Sequence, residues 1–442
     1  MARAKLVNHR DIDANHGKFS LDASMAVLDV QLSLDFEPRR QKVQLDEASL
    51  VESHMRFAYS IPHHREYLRS GYPSEPLLAE AAAQQLKHWR SEKPFVVVDT
   101  LTDILKSGLL SRGELGELTG RQLLLDAYHR AVEAEQDTPN FSAGCRLTTF
   151  IKMLFTEEYA QEFLNSEPEN VTGKPFKEAF ATAMVCFTHF GKMADHTGTT
   201  TTAVWAAFMR HMAIMCMNGQ EAVDCIIPVL LWDTRLCEHV MTGMLVQLKR
   251  RLKAGTVAKY TIDAAKLGFF PTKIEMCGHG SVPESETKAL RPYVSLIMEL
   301  GIQSDPMTGK KKSDGRPRTP PKAKSADQEP ATPSRIHIPQ RGTRHHNEIG
   351  HARYTIFAYG CSNTVYQGID AAHKASYALL LNSRDFLGEH PRQSPQTLKA
   401  VRRMKPFWSR GEDSYHWIER NDILHGDDPH AKKEFLVGKE CS

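Results

Sequence analysis

Four stretches of the chain carry the apolar patterning of strands in a buried sheet. Residues 223–231 form a nearly unbroken run of Val, Ile and Leu opened by Asp224, which suits a strand covered on both faces. Residues 244–249 read MLVQLK; side chains alternate along a strand, so Gln247 and Lys249 share one face and Val246 and Leu248 the other. Residues 292–302 (PYVSLIMELGI) and 354–360 (YTIFAYG) complete the set. The alternating stretch 26–36 (AVLDVQLSLDF) predicts an edge strand or hairpin within an N-terminal arm. Helical spacing begins at residues 76–89, with Pro76 at the first helical position, and continues over 96–107. A long helix from Glu114 then uses Leu115, Leu118, Leu124 and Leu125 as apolar positions. Residues 141–163 and 177–193 predict further helices, with Phe150, Phe155, Phe187 and Phe190 facing a core. Residues 203–217 are apolar nearly all round and predict a buried helix packed on the strands that follow. Two last helices are expected over 371–381 and 395–404.

Composition changes this picture in one place. Residues 303–352 are rich in Pro, Lys and Arg and nearly empty of large apolar residues, so they cannot bury enough surface to offset ordering entropy. They read as a disordered basic insertion between two strands of one sheet. Its Lys310–Lys312 and Arg316–Lys324 clusters suit a nuclear-import signal, a phosphate-binding arm or a solvated loop equally. The expected organisation is an arm over 1–74, a core over 75–302, the insertion over 303–352, the rest of the core over 353–420 and a tail over 421–442. Elsewhere the 41% hydrophobic and 25% charged content is that of an ordinary globular chain, and the formal charge of +3 does not select a partner.

Several function classes drop out. No run of eighteen apolar residues and no apolar leader is present, so neither a membrane span nor a secretory signal is expected. Eight cysteines stand singly without a CxxC pair, which points to a reducing compartment, cytoplasmic or nuclear, and away from a zinc ribbon. The run HTGTTTT, residues 196–202, lacks the Gly-Lys-Ser/Thr ending of a phosphate loop and reads as a helix cap. His189 reads as a core or surface histidine. His345, His346 and His351 lie close in sequence around Glu348, but spacing alone does not define a metal site. No aromatic stacking platform of recognisable spacing is evident, so DNA and RNA stand as equal candidates. Glu117 precedes Arg121 by one helical turn, the spacing of a solvated pair that stabilises a helix by a few tenths of a kcal/mol.

Taken together, a helix carrying GELTGRQLLL, a strand opened by an acid (VDCIIPV) and a strand with Gln-x-Lys and a basic continuation (LVQLKRR) resemble the PD-(D/E)XK nuclease superfamily. The resemblance is closest to the restriction-endonuclease-like domains of Crinkler-type effectors and of large fungal families, and it runs over residues 75–420. It implies an α/β fold, a restriction-endonuclease-like mixed sheet flanked by helices, here with a large helical insertion between Glu117 and Asp224. It implies Asp224 as metal-binding carboxylate, Gln247 in the second acidic position, Lys249 orienting the attacking water, and Glu117, with Glu114 as the alternative, as the helix glutamate. Metal ligands would then be Glu117, Asp224 and Gln247, holding Mg2+ or Mn2+ through oxygen. Arg250, Arg251 and Lys253 would follow the phosphate backbone of DNA or RNA. A fold of the same class that binds nucleic acid or a protein partner without cleaving it, and a mostly helical interaction protein, are the other readings.

Overall fold

The computed structural model of the protein describes residues 2–8, 20–36, 41–61, 63, 69–92, 95–110, 115–217, 219–220, 222–232, 236–250, 261–271, 290–301, 335–339 and 350–382. The basic clusters of the insertion and the helix expected over 395–404 lie outside the described residues. Helices α1 (Ala2–Leu6), α2 (Leu21–Leu32) and α3 (Gln41–Ser53) precede an antiparallel ribbon of β1 (Phe57–Ser60) and β2 (Arg69–Gly71). Then come α4 (Pro76–Glu92), α5 (Val97–Lys106) and the long α6 (Leu115–Glu135). The middle of the chain adds β3 (Cys145–Arg146), α7 (Leu147–Leu154), α8 (Glu157–Leu164), α9 (Phe176–Ala179), β4 (Met184–Val185), β5 (His189–Lys192), α10 (Thr201–Met209) and β6 (Met212–Met215). The last elements are β7 (Cys225–Leu230), β8 (Met241–Lys249), β9 (Tyr293–Glu299), β10 (Arg335–His337), β11 (Arg353–Tyr359) and α11 (Lys374–Asn382).

Strands β3 to β11 form one nine-stranded mixed sheet in the order β10-β11-β9-β8-β7-β4-β3, with β6 also on β7 and β5 on β6. β7 runs antiparallel to β8, while β8, β9 and β11 run parallel. The two strands that bracket the basic segment lie in one sheet, as the sequence predicts, and are immediate neighbours in it. One face of the sheet, carrying Cys225, Ile227, Val246, Leu248, Leu296 and Ile356, packs on the helical layer that includes α2, α4, α6 and α7. The other face, carrying Ile226, Leu245, Ile297 and Phe357, is covered by α10 and by Ile262, Ala264 and Phe269 of the segment 261–271. Each large apolar side chain buried here contributes about 1.5–3 kcal/mol. The protein is a mixed α/β structure rather than a mostly helical one. Among the described residues no helix is long and apolar enough to cross a membrane.

Helix α6 sits close on β8 because two of its residues lack side chains. A Cβ on Gly120 would lie 2.5 Å from Leu248 Cδ2, and one on Gly116 would lie 2.7 Å from Arg250 Cβ. These glycines, one turn apart, bring the first turns of α6 onto the end of β8.

The sequence misleads in several places, among them residues 141–163, expected as helix, which hold β3 before α7 and α8, and residues 335–337, expected within a disordered insertion, which form β10 on β11. Residues 21–32 are helix, not the strand expected over 26–36: Ser20 caps α2 by accepting the Ala23 N–H at 3.1 Å. Ten of the twelve residues of α2 are buried, so no polar stripe marks its helical period. Its polar residues have internal partners instead; Asp29 accepts the Leu34 N–H at 2.7 Å, and the Gln31 amide lies 3.2 Å from His129 Nε2. The expected arm accordingly supplies Leu6, Leu28 and Leu50 to the main core. The stretch 177–193 holds the short α9 and strands β4 and β5 rather than one helix. Helix α10 stops at Met209, and His211, at φ 50°, turns the chain into β6. The interval between Glu117 and Asp224 is not a purely helical insertion, since β3, β4, β5 and β6 from it extend the sheet.

Candidate functional site

The β7–β8 ladder runs from Cys225 opposite Val246 to Leu230 opposite Met241. Just beyond its end, Asp224 donates its N–H to the Val246 carbonyl at 2.9 Å, and its own carbonyl accepts the Cys216 N–H at 2.9 Å. Past this point β7 supplies no carbonyl to Leu248, and the Asp224 carboxylate takes that place, accepting the Leu248 N–H at 2.5 Å. Asp224 is thereby fixed between the ends of β6 and β8. Because β7 and β8 are antiparallel, this is the end at which the parallel strands β8, β9 and β11 present their carboxyl termini, where open α/β sheets bind ligands.

Helix α6 delivers Glu117 to the same place, one residue after the contact of Gly116 with Arg250. Burial holds the Glu117 carboxyl above its ordinary range and the negative charge of Asp224 raises it further; Arg121 and Lys192 oppose, and Asp35 adds to the rise. Burial also raises Asp224, against the Leu248 N–H and the Lys249 ammonium. Cys216 is pushed up to about 12 by burial and then by Asp224 and Glu117, so its thiol is neutral and unreactive at neutral pH. The arrangement puts the Asp224 charge in range of Glu117 near the end of β8, with Lys249 acting on Asp224.

The other expected residues divide. Strand alternation puts Gln247 and Lys249 on the face covered by α10 and Leu248 and Arg250 on the face of α6, so Gln247 does not share a face with Glu117. Gln247 is 4% exposed, and its Oε1 has no hydrogen-bond partner among the described residues. Lys249 is half-buried at the last position of β8, in register with Glu299 on β9. Arg121 is buried rather than solvated, with Nη1 donating to Met215 Sδ at 2.8 Å. Glu114, Arg251, Lys253, His345 and His346 lie outside the described residues. His351 stacks on Phe270 at 3.7 Å between ring centroids, and its Nδ1 lies 3.0 Å from the Arg291 backbone, a packing role. His189 is buried with Nε2 on Ser74 Oγ at 2.8 Å and Nδ1 on Thr188 Oγ1 at 3.2 Å.

Sequence reasoning missed Asp35 and Lys192, an ion pair at 2.5 and 2.7 Å whose charges both reach Glu117. Each sits at the end of a stretch assigned the wrong secondary structure, which hid that α2 and β5 finish side by side. Among the described residues no group of three or more His, Cys, Asp or Glu is placed to hold a metal. A cation here would rest on the two carboxylates of Glu117 and Asp224. That set suits a hard ion that keeps several waters.

A mixed sheet between unequal helical layers, with an acid pair at the carboxyl ends of its parallel strands, defines an α/β protein with a polar site on the sheet's rim. The profile of a family described as a domain of unknown function (DUF8736) matches residues 18–263, more than half of the chain, and the chain belongs to that family. The matched span holds Glu117, Asp224, Gln247 and Lys249 and stops before β9. No curated protein and no solved structure matches the chain.

Proposed function

We propose that this chain is a metal-dependent nucleic-acid phosphodiesterase of the restriction-endonuclease-like class, acting inside the cell in cytoplasm or nucleus. The observation that supports it most is the meeting of Glu117 and Asp224, two carboxylates from elements far apart in sequence, with the Lys249 charge acting on Asp224. Perturbed carboxylates of this kind cluster at functional sites. A bound Mg2+ or Mn2+ would polarise a phosphoryl oxygen and acidify a coordinated water. The chain's own work is then electrostatic. Glu117 and Asp224 hold the positive charge in place, the Leu248 N–H fixes the orientation of Asp224, and Lys249 opposes charge building on the scissile phosphate. Arg250, on the face of α6, offers a contact to the phosphate backbone.

A second reading has its own observation. One Asp224 oxygen is already engaged by the Leu248 amide and Gln247 lies on the opposite face from Glu117, an arrangement that also suits a member of the class that binds nucleic acid or a protein without cutting. The test is cleavage of supercoiled plasmid and of single-stranded RNA with Mg2+, Mn2+ or EDTA, beside Asp224→Asn and Lys249→Ala. Metal-dependent cleavage lost in both variants is the expected result. A well-folded wild type that binds but never cuts would replace this reading with the second.

A further inference from the structure

The ribbon of β1 and β2 presents aromatic side chains to solvent. Phe57, Tyr59 and Ile61 are 54%, 60% and 63% exposed, and the pairing of β1 with β2 shifts register between Ala58 and Ser60, at Tyr59. Their sequence, FAYSI, is too short and mixed to announce a platform. The Tyr59 ring lies over Gly71 of β2, where a Cβ would come within 2.9 Å of the ring, so the absent side chain lets the ring lie flat on the ribbon.

Tyr59 also borders a cavity of about 350 Å3 enclosed by the end of α2, β2 and β5. Its lining is polar. Arg56 is buried there against Asp29 and Glu47 and donates to Ser70 Oγ at 2.8 Å. The lining continues through Tyr72, Ser74 and His189 to the Lys192–Asp35 pair. Burial, then Arg210 and His211, lowers His189 to about 4, so its ring is neutral. Thr188 Oγ1 donates to the His211 carbonyl at 3.2 Å, which leaves its lone pairs for His189 Nδ1–H and makes Nε2 the acceptor of the Ser74 hydroxyl. No carboxylate stands behind the ring to stabilise an imidazolium, so this Ser–His contact builds a wall and does not activate a nucleophile. Lys192, ion-paired with Asp35, lines the cavity, and the Arg210 guanidinium bonds Ser74 of its wall. Asp35 and Lys192, which line the cavity, also act on the Glu117 charge.

We infer that Phe57, Tyr59 and this cavity form a subsite for single-stranded nucleic acid. Unpaired bases stack on the two rings, one base enters the polar cavity, and a phosphate lies against Lys192 and Arg210. Stacking rings flanked by cations are how single strands are held without sequence preference, whereas a duplex keeps its base faces hidden. A protein docking on exposed aromatics has no use for the adjoining hydroxyl-lined, charged cavity. The subsite's link to Glu117 rests on the phosphodiesterase reading; its test does not.

The test is fluorescence anisotropy of a single strand of about a dozen nucleotides, as DNA and as RNA, and of the matching duplex, all in EDTA. The full chain is compared with Phe57→Ala, Tyr59→Ala, Lys192→Ala and Gly71→Val, circular dichroism confirming each fold. The expected result is single-strand binding at least about tenfold tighter than duplex binding, weakened roughly five- to a hundredfold by loss of either ring. Gly71→Val should weaken it too by lifting the Tyr59 ring, and Lys192→Ala should flatten the salt dependence. Equal binding of duplex and single strand, no binding by folded wild type, or a Tyr59→Ala variant that binds as wild type would each overturn the subsite. Metal-dependent cutting combined with unchanged Tyr59→Ala binding would remove the subsite and leave the phosphodiesterase. Ring-dependent binding without cutting would do the reverse.

Discussion

The charges around Arg56 and those around Glu117 are assembled in opposite ways. Arg56 and Asp29 are 3% and 4% exposed and form an ion pair, with Glu47 and Ser70 completing the set. Burial lowers Arg56 to about 10, so it remains a cation at neutral pH with an acid on either side. At Glu117 burial raises the carboxyl first, Asp224 and Asp35 raise it further, and Arg121 and Lys192 oppose them. The first cluster is closed on itself and holds α2, α3 and the β1–β2 ribbon together. The second keeps like charges in range of one another at the rim of the sheet, the condition a bound cation relieves. Burial alone therefore does not separate a structural cluster from a functional one; the balance of sign does.

The comparison breaks most sharply at Arg56. Arg56→Met leaves Asp29 and Glu47 buried without a counter-charge and should cost about 3–5 kcal/mol, read from the midpoint of urea unfolding. A loss below about 1 kcal/mol would mean the cluster is not closed. Next in size is Gly120→Val, which drives a Cβ into Leu248 and should cost about 1–3 kcal/mol while moving Glu117 away from Asp224. Metal response and stability should fall together in that variant. At Asp224 the two roles come apart. Asp224→Ala strands the Leu248 N–H and should cost about 1–2 kcal/mol, whereas Asp224→Asn supplies a replacement carbonyl and should keep most of the stability while losing the metal.

How much of this was legible in the sequence follows from what each residue had to signal. β7, β8, β9 and β11 were readable because a strand covered on both faces is a dense apolar run, and the alternation in MLVQLK correctly separates Gln247 from Leu248. α4 and α5 were readable from their helical period, and α6, although fifteen of its twenty-one residues are buried, from its length and the spacing of its leucines. α2 was not, since burial all round removes the period and leaves the accidental alternation of Asp29 and Gln31 with apolar neighbours. β4 and β6 are two and four residues long, too short for any pattern, and β6 follows a helix of equal apolarity with only the turn at His211 between them. Within the site, the approach of Glu117 to Asp224 depends on Gly116 and Gly120, whose meaning appears only when β8 lies beneath them. The face occupied by Gln247 relative to α6 is likewise a property of packing, which no strand pattern states.

The smallest effect sharpens the comparison by its sign. Because Glu117 titrates higher folded than unfolded, the folded state binds the proton more tightly, so stability falls as pH rises from the unfolded value to the folded one, and the penalty persists at neutral pH. Glu117→Gln in EDTA should therefore leave stability unchanged or raise it by less than about 1 kcal/mol, solvent screening at this half-exposed group keeping the gain small. It should also flatten the mildly acidic limb of the stability profile, which thermal melts at several pH values would record.

The most direct measurement is calorimetric titration of Mn2+ into the full chain at pH 5 and at pH 7.5, for wild type, Glu117→Gln and Asp224→Asn. The account predicts one site in the wild type, weaker at pH 5 because protons compete for the raised carboxyls, and weakened at least about tenfold in each variant. Binding that is insensitive to pH and to both substitutions, or no binding by folded wild type, would contradict the claim that Glu117 and Asp224 form a cation site.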